Sequence, residues 1–183
     1  MTCRLVQNIK HSCEYNPGGI SEIYLLDIRD FVNYRFRDDK LYDTCYVDKI
    51  TKYEDAKYIV LSEVSESNFT ESSDSGLYNQ QLTSFVGTIE ASKTSGLLTA
   101  SANKYLVIFR NMQQKVYAFG HDGGAAVAFA QVTGQMGETA GYQVTITKSS
   151  QYPLFELNPD VLSDRYTIGY TPDFEINYYC ETV

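Results

Sequence analysis

The sequence lacks most of the signatures by which catalytic proteins announce themselves. It contains no Gly-x-Ser-x-Gly elbow, no His-Glu-x-x-His pair, no Gly-x-x-x-x-Gly-Lys-Ser/Thr phosphate loop and no dinucleotide fingerprint. Its four cysteines, Cys3, Cys13, Cys45 and Cys180, never form the short Cys-x₂₋₄-Cys pairs that structural zinc requires, nor the dense spacing of a disulfide framework. Reduced cysteines are expected. The longest apolar runs, Tyr105 to Phe109 and Gly124 to Ala130, are far too short for a helix to cross a bilayer. Met1 to Cys13 has no apolar core of the secretory type, so a protein made in a cytoplasm and carrying no membrane anchor is expected. Positive charge is scarce too. A net charge of −8 disfavours tight, sequence-reading contact with nucleic acid, which needs Lys and Arg to displace counterions from phosphate.

The residues that could carry chemistry read more simply as structure. His11 and Cys13 lie two apart and share a face on a strand, yet a thiolate–imidazole nucleophile also needs an orienting third group. A zinc set of Cys3, His11, Cys13 and Cys45 lacks the close pairs. His121-Asp122-Gly123-Gly124 couples a base to a carboxylate, but Asp-Gly-Gly is first of all a turn, because glycine accepts positive φ without steric cost. The acidic doublets Asp38-Asp39 and Glu54-Asp55 suit solvated turns. Asn68-Phe69-Thr70 fits a glycosylation sequon, which needs a secreted context. No catalytic residue, metal site or cofactor is expected, and the chain is not expected to be an enzyme.

What is present is aromatic and strand-forming. Tyrosine occurs 16 times and phenylalanine 9 times, residues that favour half-buried pleated surfaces and subunit contacts. Ile20 to Ile28 is a run of strand formers after an Asn16-Pro17-Gly18-Gly19 turn, with Val6 to Tyr15 as a conceivable hairpin partner. Asp30 to Asp43 mixes aromatics with charges in no clean period and is expected to be an irregular, surface-reaching connection. Cys45 to Lys52 and Lys57 to Val64 read as strands about a polar Tyr53-to-Ala56 turn. Glu63 to Asp74 is polar enough to be a flexible segment, yet followed by Leu77 to Val86 it reads best as a long hairpin with an acidic tip. Glu90 to Asn103 is compatible with a helix. Tyr105 to Arg110 and Lys115 to Gly120 flank a short polar turn and form a hairpin signal. Ala125 to Gly134 is a mixed run, whereas Gly141 to Ser149 alternates as a strand. Gln151 onward is extended and broken by Pro153, Pro159 and Pro172, which suits edge strands or a docking tail.

The expected fold is therefore mainly β, an antiparallel β-sandwich or barrel with one flanking α-helix. It forms a single domain over 1–183, with 63–86 as a projecting hairpin arm and 151–183 as an extended C-terminal segment. A two-stranded arm cannot bury its own faces, so it should pack on a neighbour, which is another copy of the chain in the simplest case. Phe69, Leu77, Tyr78 and Phe85 are its expected interface residues.

Gly19-Ile-Ser-Glu-Ile-Tyr-Leu-Leu-Asp, the Tyr105-Leu-Val-Ile-Phe-Arg and Lys115-Val-Tyr-Ala-Phe-Gly pair, and Gly134 followed by Gly141-Tyr-Gln-Val-Thr-Ile-Thr resemble phage tail-tube and head-to-tail connector ring proteins. They are similar in particular to those of phages infecting gut Bacteroides, including crAss-like phages. The resemblance lies in order and local pattern over most of the chain. It implies a virion structural protein whose identical subunits close a ring or tube and contact neighbouring tail or portal-complex proteins. During genome ejection, DNA would pass through the lumen without sequence-specific binding. The acidic balance is compatible with a lumen that repels phosphate: between Glu54 and Asp74 six acids meet one base, Lys57. Two other readings stand beside it. One is a β-sandwich binding module, such as a virion decoration or receptor-binding accessory protein, taking glycan or protein on tyrosines such as Tyr34, Tyr42, Tyr46 and Tyr53. The other is a small hydrolase using His121 and Asp122.

Overall fold

The computed structural model describes residues 17–37, 45–61, 64–135 and 139–162. Within them the protein is mainly β with one helix, a sandwich-like arrangement of one large, mostly antiparallel sheet. Its elements are β1 (Ile20–Asp27), β2 (Phe31–Phe36), β3 (Tyr46–Lys52), β4 (Ile59–Leu61), β5 (Val64–Asp74), β6 (Leu77–Gly87) and α1 (Ala91–Ala102). They are followed by β7 (Lys104–Asn111), β8 (Val116–Phe119), β9 (Ala125–Val132), β10 (Gly141–Ser150) and β11 (Phe155–Leu157). The sheet runs β2-β3-β11-β8-β7-β9-β10-β6-β5, with β1 laid along β7 and β4 along β1.

Two strands organise the core. In β1 the run Ile23–Leu26 and in β7 the run Tyr105–Phe109 are buried without a break, because both faces of these strands are covered. Alternate residues therefore supply two separate clusters. Ile23 and Leu25 with Tyr105, Val107 and Phe109 face one way, toward Leu82, Val127, Val144 and Ile146 of the β9-β10-β6 sheet. Tyr24 and Leu26 with Leu106 and Ile108 face the other, toward Val47, Ile50, Phe155 and Leu157 of the β3-β11 layer. Burial on both faces is what turns a strand sequence from alternating to continuously apolar. Each such Leu, Ile or Val removed from water stabilises the fold by about 1.5–3 kcal/mol.

One corner lets a single sheet serve both layers. β8 pairs with Val107–Arg110 of β7, and β9 pairs with Lys104 and Tyr105 of the same strand. Between them residues 120–124 make a tight turn closed by Gly124 N–H donating to the Gly120 carbonyl at 2.8 Å. Gly120 and Gly124 hold φ of +87° and +81° there, and a Cβ on Gly124 would lie 2.6 Å from Lys104 Cβ. Only glycine allows both the backbone angle and the approach.

The sequence-based expectations hold for β1, the β7–β8 hairpin, β10 and the helix, whose bounds fall inside Glu90 to Asn103. Asn111 makes the β7–β8 turn, its side-chain carbonyl accepting from the N–H groups of Gln113 and Lys115. Four expectations need correction. Asp30 to Asp43 is not wholly irregular: Phe31–Phe36 is strand β2, paired with β3, and shifts of register at Phe31/Asn33 and Arg35/Phe36 break the period that would have revealed it. The mixed run from Ala125 is strand β9. The hairpin β5–β6 exists but does not stand clear as an arm, since β6 is bonded to β10 from Tyr78 to Gly87. In the segment after Pro153, expected as edge strands or a docking tail, Phe155–Leu157 is not an edge, because β11 lies between β3 and β8. Val6 to Tyr15, the residues from 163 to 183 and the Asp38-Asp39 pair lie outside the described residues.

Candidate functional surfaces

The residues singled out in sequence are not gathered in one place. Phe69 on β5 turns inward and packs on Phe109 and Phe119, with ring centroids 5.0 and 5.3 Å away, so its first role is in the core of its own chain. Leu77 at the hairpin tip is 44% exposed, and Tyr78 beside it is half-buried. Phe85 lies over Gly141, its ring within 3 Å of where a Cβ would stand, and it is opposed by Gln143 across the β6–β10 ladder. An aromatic ring laid over a strand glycine compensates for the side chain that the glycine lacks.

Among the described residues Tyr34, Tyr46 and Tyr53 do not gather into one platform. Tyr34 points into an aromatic group with Phe31, Phe36, His121 and Phe155. Tyr46 lies under the Arg37 guanidinium, 4.0 Å from the ring centroid, while Tyr53 sits alone in the β3–β4 turn at 62% exposure. Tyr42 lies outside the described residues, as do His11, Cys3, Cys13 and Cys180. Cys45 carries a free thiol that burial pushes above its ordinary pKa, the opposite of what a nucleophile needs. Among the described residues no cluster of three or more His, Cys, Asp or Glu could hold a metal ion.

His121 and Asp122 are adjacent but serve different neighbourhoods. His121 is enclosed by Tyr34, Tyr152 and Phe155, with centroids 5.0, 4.8 and 5.3 Å away. Burial pulls its pKa below the ordinary histidine value, which favours the neutral ring. Asp122 instead accepts from Ser150 Oγ at 2.8 Å, and Lys148 Nζ donates to its backbone carbonyl at 2.6 Å and pairs with its Oδ1 at 3.4 Å. Ser150 Oγ in turn accepts from the Tyr152 N–H at 2.9 Å. This network ties β10 to the 120–124 corner. Glu71 of β5 joins the sheets in a similar way, accepting from Gln80 Nε2 and from the Leu154 N–H, each at 2.8 Å.

One open concave surface went unseen in sequence. On the outer face of the β5-β6-β10-β9-β7 sheet, register aligns Thr70, Gln81, Thr147, Ala126 and Lys104 in one row across five strands. Ser72, Asn79 and Ser149 make a second, parallel row. Together they line an open groove of about 510 Å³ without a single carboxylate. A second, smaller cleft of about 250 Å³ lies where β1 and β5 diverge, floored by Phe69, Phe109 and Tyr117.

The terminal strands of the sheet carry opposite charge. β5 has no ladder on its outer side among the described residues, and it presents Glu66 and Asp74. β2 at the other end is likewise open and presents Arg35, with Lys49 opposite it on β3. Glu66 sits at a β-bulge with φ of +48°, a device that prevents indiscriminate edge pairing. Among the described residues no helix is long and apolar enough to cross a membrane. The chain matches no protein-family model, no curated protein and no solved structure.

Proposed function

We propose that this chain is a structural subunit of a phage tail tube or head-to-tail connector ring, built from identical copies joined edge to edge. The observation that carries the reading is the pair of open, oppositely charged strands at the two ends of one sheet. An acidic β5 on one copy and a basic β2 on the next form a heterologous contact, and heterologous contacts repeated about an axis close a ring. The exposed Val32 on β2 and Leu77 at the β5–β6 tip supply apolar area to such a contact. A net charge of −8 suits a particle through which DNA slides without sticking. In this reading neighbouring tail or portal-complex proteins stack on the ring, and the protein works in the virion without catalysing a reaction.

Light scattering and negative-stain microscopy of the purified full chain test it. Rings, stacked tubes or a reproducible cyclic oligomer are expected. A strict monomer at high concentration that also stays unassembled when mixed with its particle's neighbouring proteins overturns it.

A further inference from the structure

The groove on the outer face of the β5-β6-β10-β9-β7 sheet is lined mainly by polar, uncharged side chains. Six of its side chains, Thr70, Ser72, Asn79, Gln81, Thr147 and Ser149, are exposed hydroxyls and amides. No hydrogen bond among the described residues engages any of them. Neighbouring strands stand about 4.8 Å apart, so the five-strand row from Thr70 to Lys104 is about 19 Å long. Hydroxyls and amides both donate and accept, and this surface offers them in a fixed lattice.

Charge selects among hydrophilic occupants. Lys148, although it lines the groove, is engaged by Asp122, which among the described residues leaves Lys104 as the groove's unpaired cation. The backbone and Cβ of Lys104 lie close against Gly124, which places Lys104 at the end of the row beside the 120–124 corner. A nucleic-acid strand is held by several phosphate contacts, and one cation on a protein of charge −8 provides too few. An apolar partner is excluded by the lining. A chain rich in hydroxyls, with a carboxylate for Lys104, satisfies both the lattice and the single charge.

We infer that this groove is a binding site for an acidic oligosaccharide, its sugar hydroxyls on the Thr70–Gln81–Thr147 row and a uronic carboxylate on Lys104. The site stands on its own geometry and does not depend on how the copies assemble. The volume of about 510 Å³ lies within the range of ligand sites, and its openness suits a chain that enters and leaves at both ends.

Titration of the ¹⁵N-labelled full chain with a xylo-oligosaccharide that carries a single glucuronate, with neutral xylohexaose and with hexathymidylate tests it. The singly charged oligosaccharide is expected to shift the backbone amides of β5, β6 and β10, with an affinity that falls about one log unit per log unit of salt, as one ion pair requires. Lys104→Gln should weaken it about tenfold, and Gln81→Ala with Thr147→Ala should abolish it, while amide dispersion confirms the fold in each variant. The inference is overturned by absence of any shift at a millimolar concentration of the singly charged oligosaccharide, by equal or tighter binding of hexathymidylate, or by equal binding of xylohexaose with no effect of Lys104→Gln. It is also overturned if the same amides move with protein concentration alone, which would make a second copy the occupant.

Discussion

The hydroxyl of Tyr142 on β10 stands 2.6 Å from Thr94 Oγ1 in the first turn of α1. The same hydroxyl accepts from the Glu90 N–H at 3.2 Å and donates to the Glu90 carbonyl at 3.0 Å. Glu90, at the N-cap position, makes no side-chain cap of its own. A tyrosine from the sheet therefore holds the N-cap residue by its own backbone, taking up the N–H that the Glu or Gln of a capping box would otherwise accept from. Its ring is fully buried, so one residue both fills the core and sets where the helix begins.

Tyr142→Phe keeps the ring and removes only the oxygen. It is expected to cost about 1–2 kcal/mol in urea unfolding, the range for a lost hydrogen bond at a capped helix terminus. An unchanged midpoint would show that the hydroxyl does not anchor the helix.

His121 gives stability a pH dependence whose sign is fixed by burial. Its folded pKa lies below 6.5, so the unfolded chain binds a proton that the native chain refuses. Stability from this group is fully present above pH 6.5 and declines as pH falls from there through the lower, folded pKa. Melting temperatures of wild type and His121→Phe across pH 8 to 5 isolate the effect. The decline below about pH 6.5 should be shallower in the variant, because the phenyl ring keeps the contacts with Tyr34, Tyr152 and Phe155 and takes up no proton.

The two sheet edges predict a charge swap. Arg35→Glu should reduce assembly by placing acid against the acidic β5 edge, and adding Glu66→Lys should restore it, as read by light scattering. Neither side chain is buried, so each single variant should keep the melting temperature of the wild type within a few degrees. Failure of the pair to rescue the single change would place the subunit contact elsewhere.

How far the fold could be read ahead of the structure depended on how each strand meets its neighbours. β1 and β7 were legible because they are covered on both faces and so are continuously apolar, and β10 because Tyr142, Val144 and Ile146 alternate with polar residues. β2 was hidden by two breaks in register that put Phe31, Tyr34 and Phe36 out of period. β9 was hidden by alanine, which lies inward at Ala125 and outward at Ala126 and Ala128. Among the described side chains of β5, Ser67 and Phe69 turn to the core while the rest are exposed, so its polar composition resembled a flexible segment until β6 supplied its ladder.

The surfaces followed the same division. Acidic residues near Asp74 and basic ones near Arg35 are visible in sequence, but not that they occupy opposite ends of one sheet. Thr70, Gln81, Thr147 and Lys104 are each unremarkable residues on their own strands, and only the hydrogen-bonded register makes them neighbours. His121 was noticed beside Asp122, its neighbour in the chain, whereas its environment comes from Tyr34, Tyr152 and Phe155 on other segments.

The sequence by itself determined the class of the protein: a β-rich chain with one helix, an acidic balance and no recognisable catalytic motif. Composition, period and local turn chemistry are properties of neighbouring residues, and they act before the chain has folded. The tertiary structure alone decided which strands are central and which are edges, where the charge of each edge faces, and that a row of polar side chains closes into a groove. Those features arise from pairing between segments far apart in the chain, and a shift of register by one residue would turn every side chain of a strand to its opposite face.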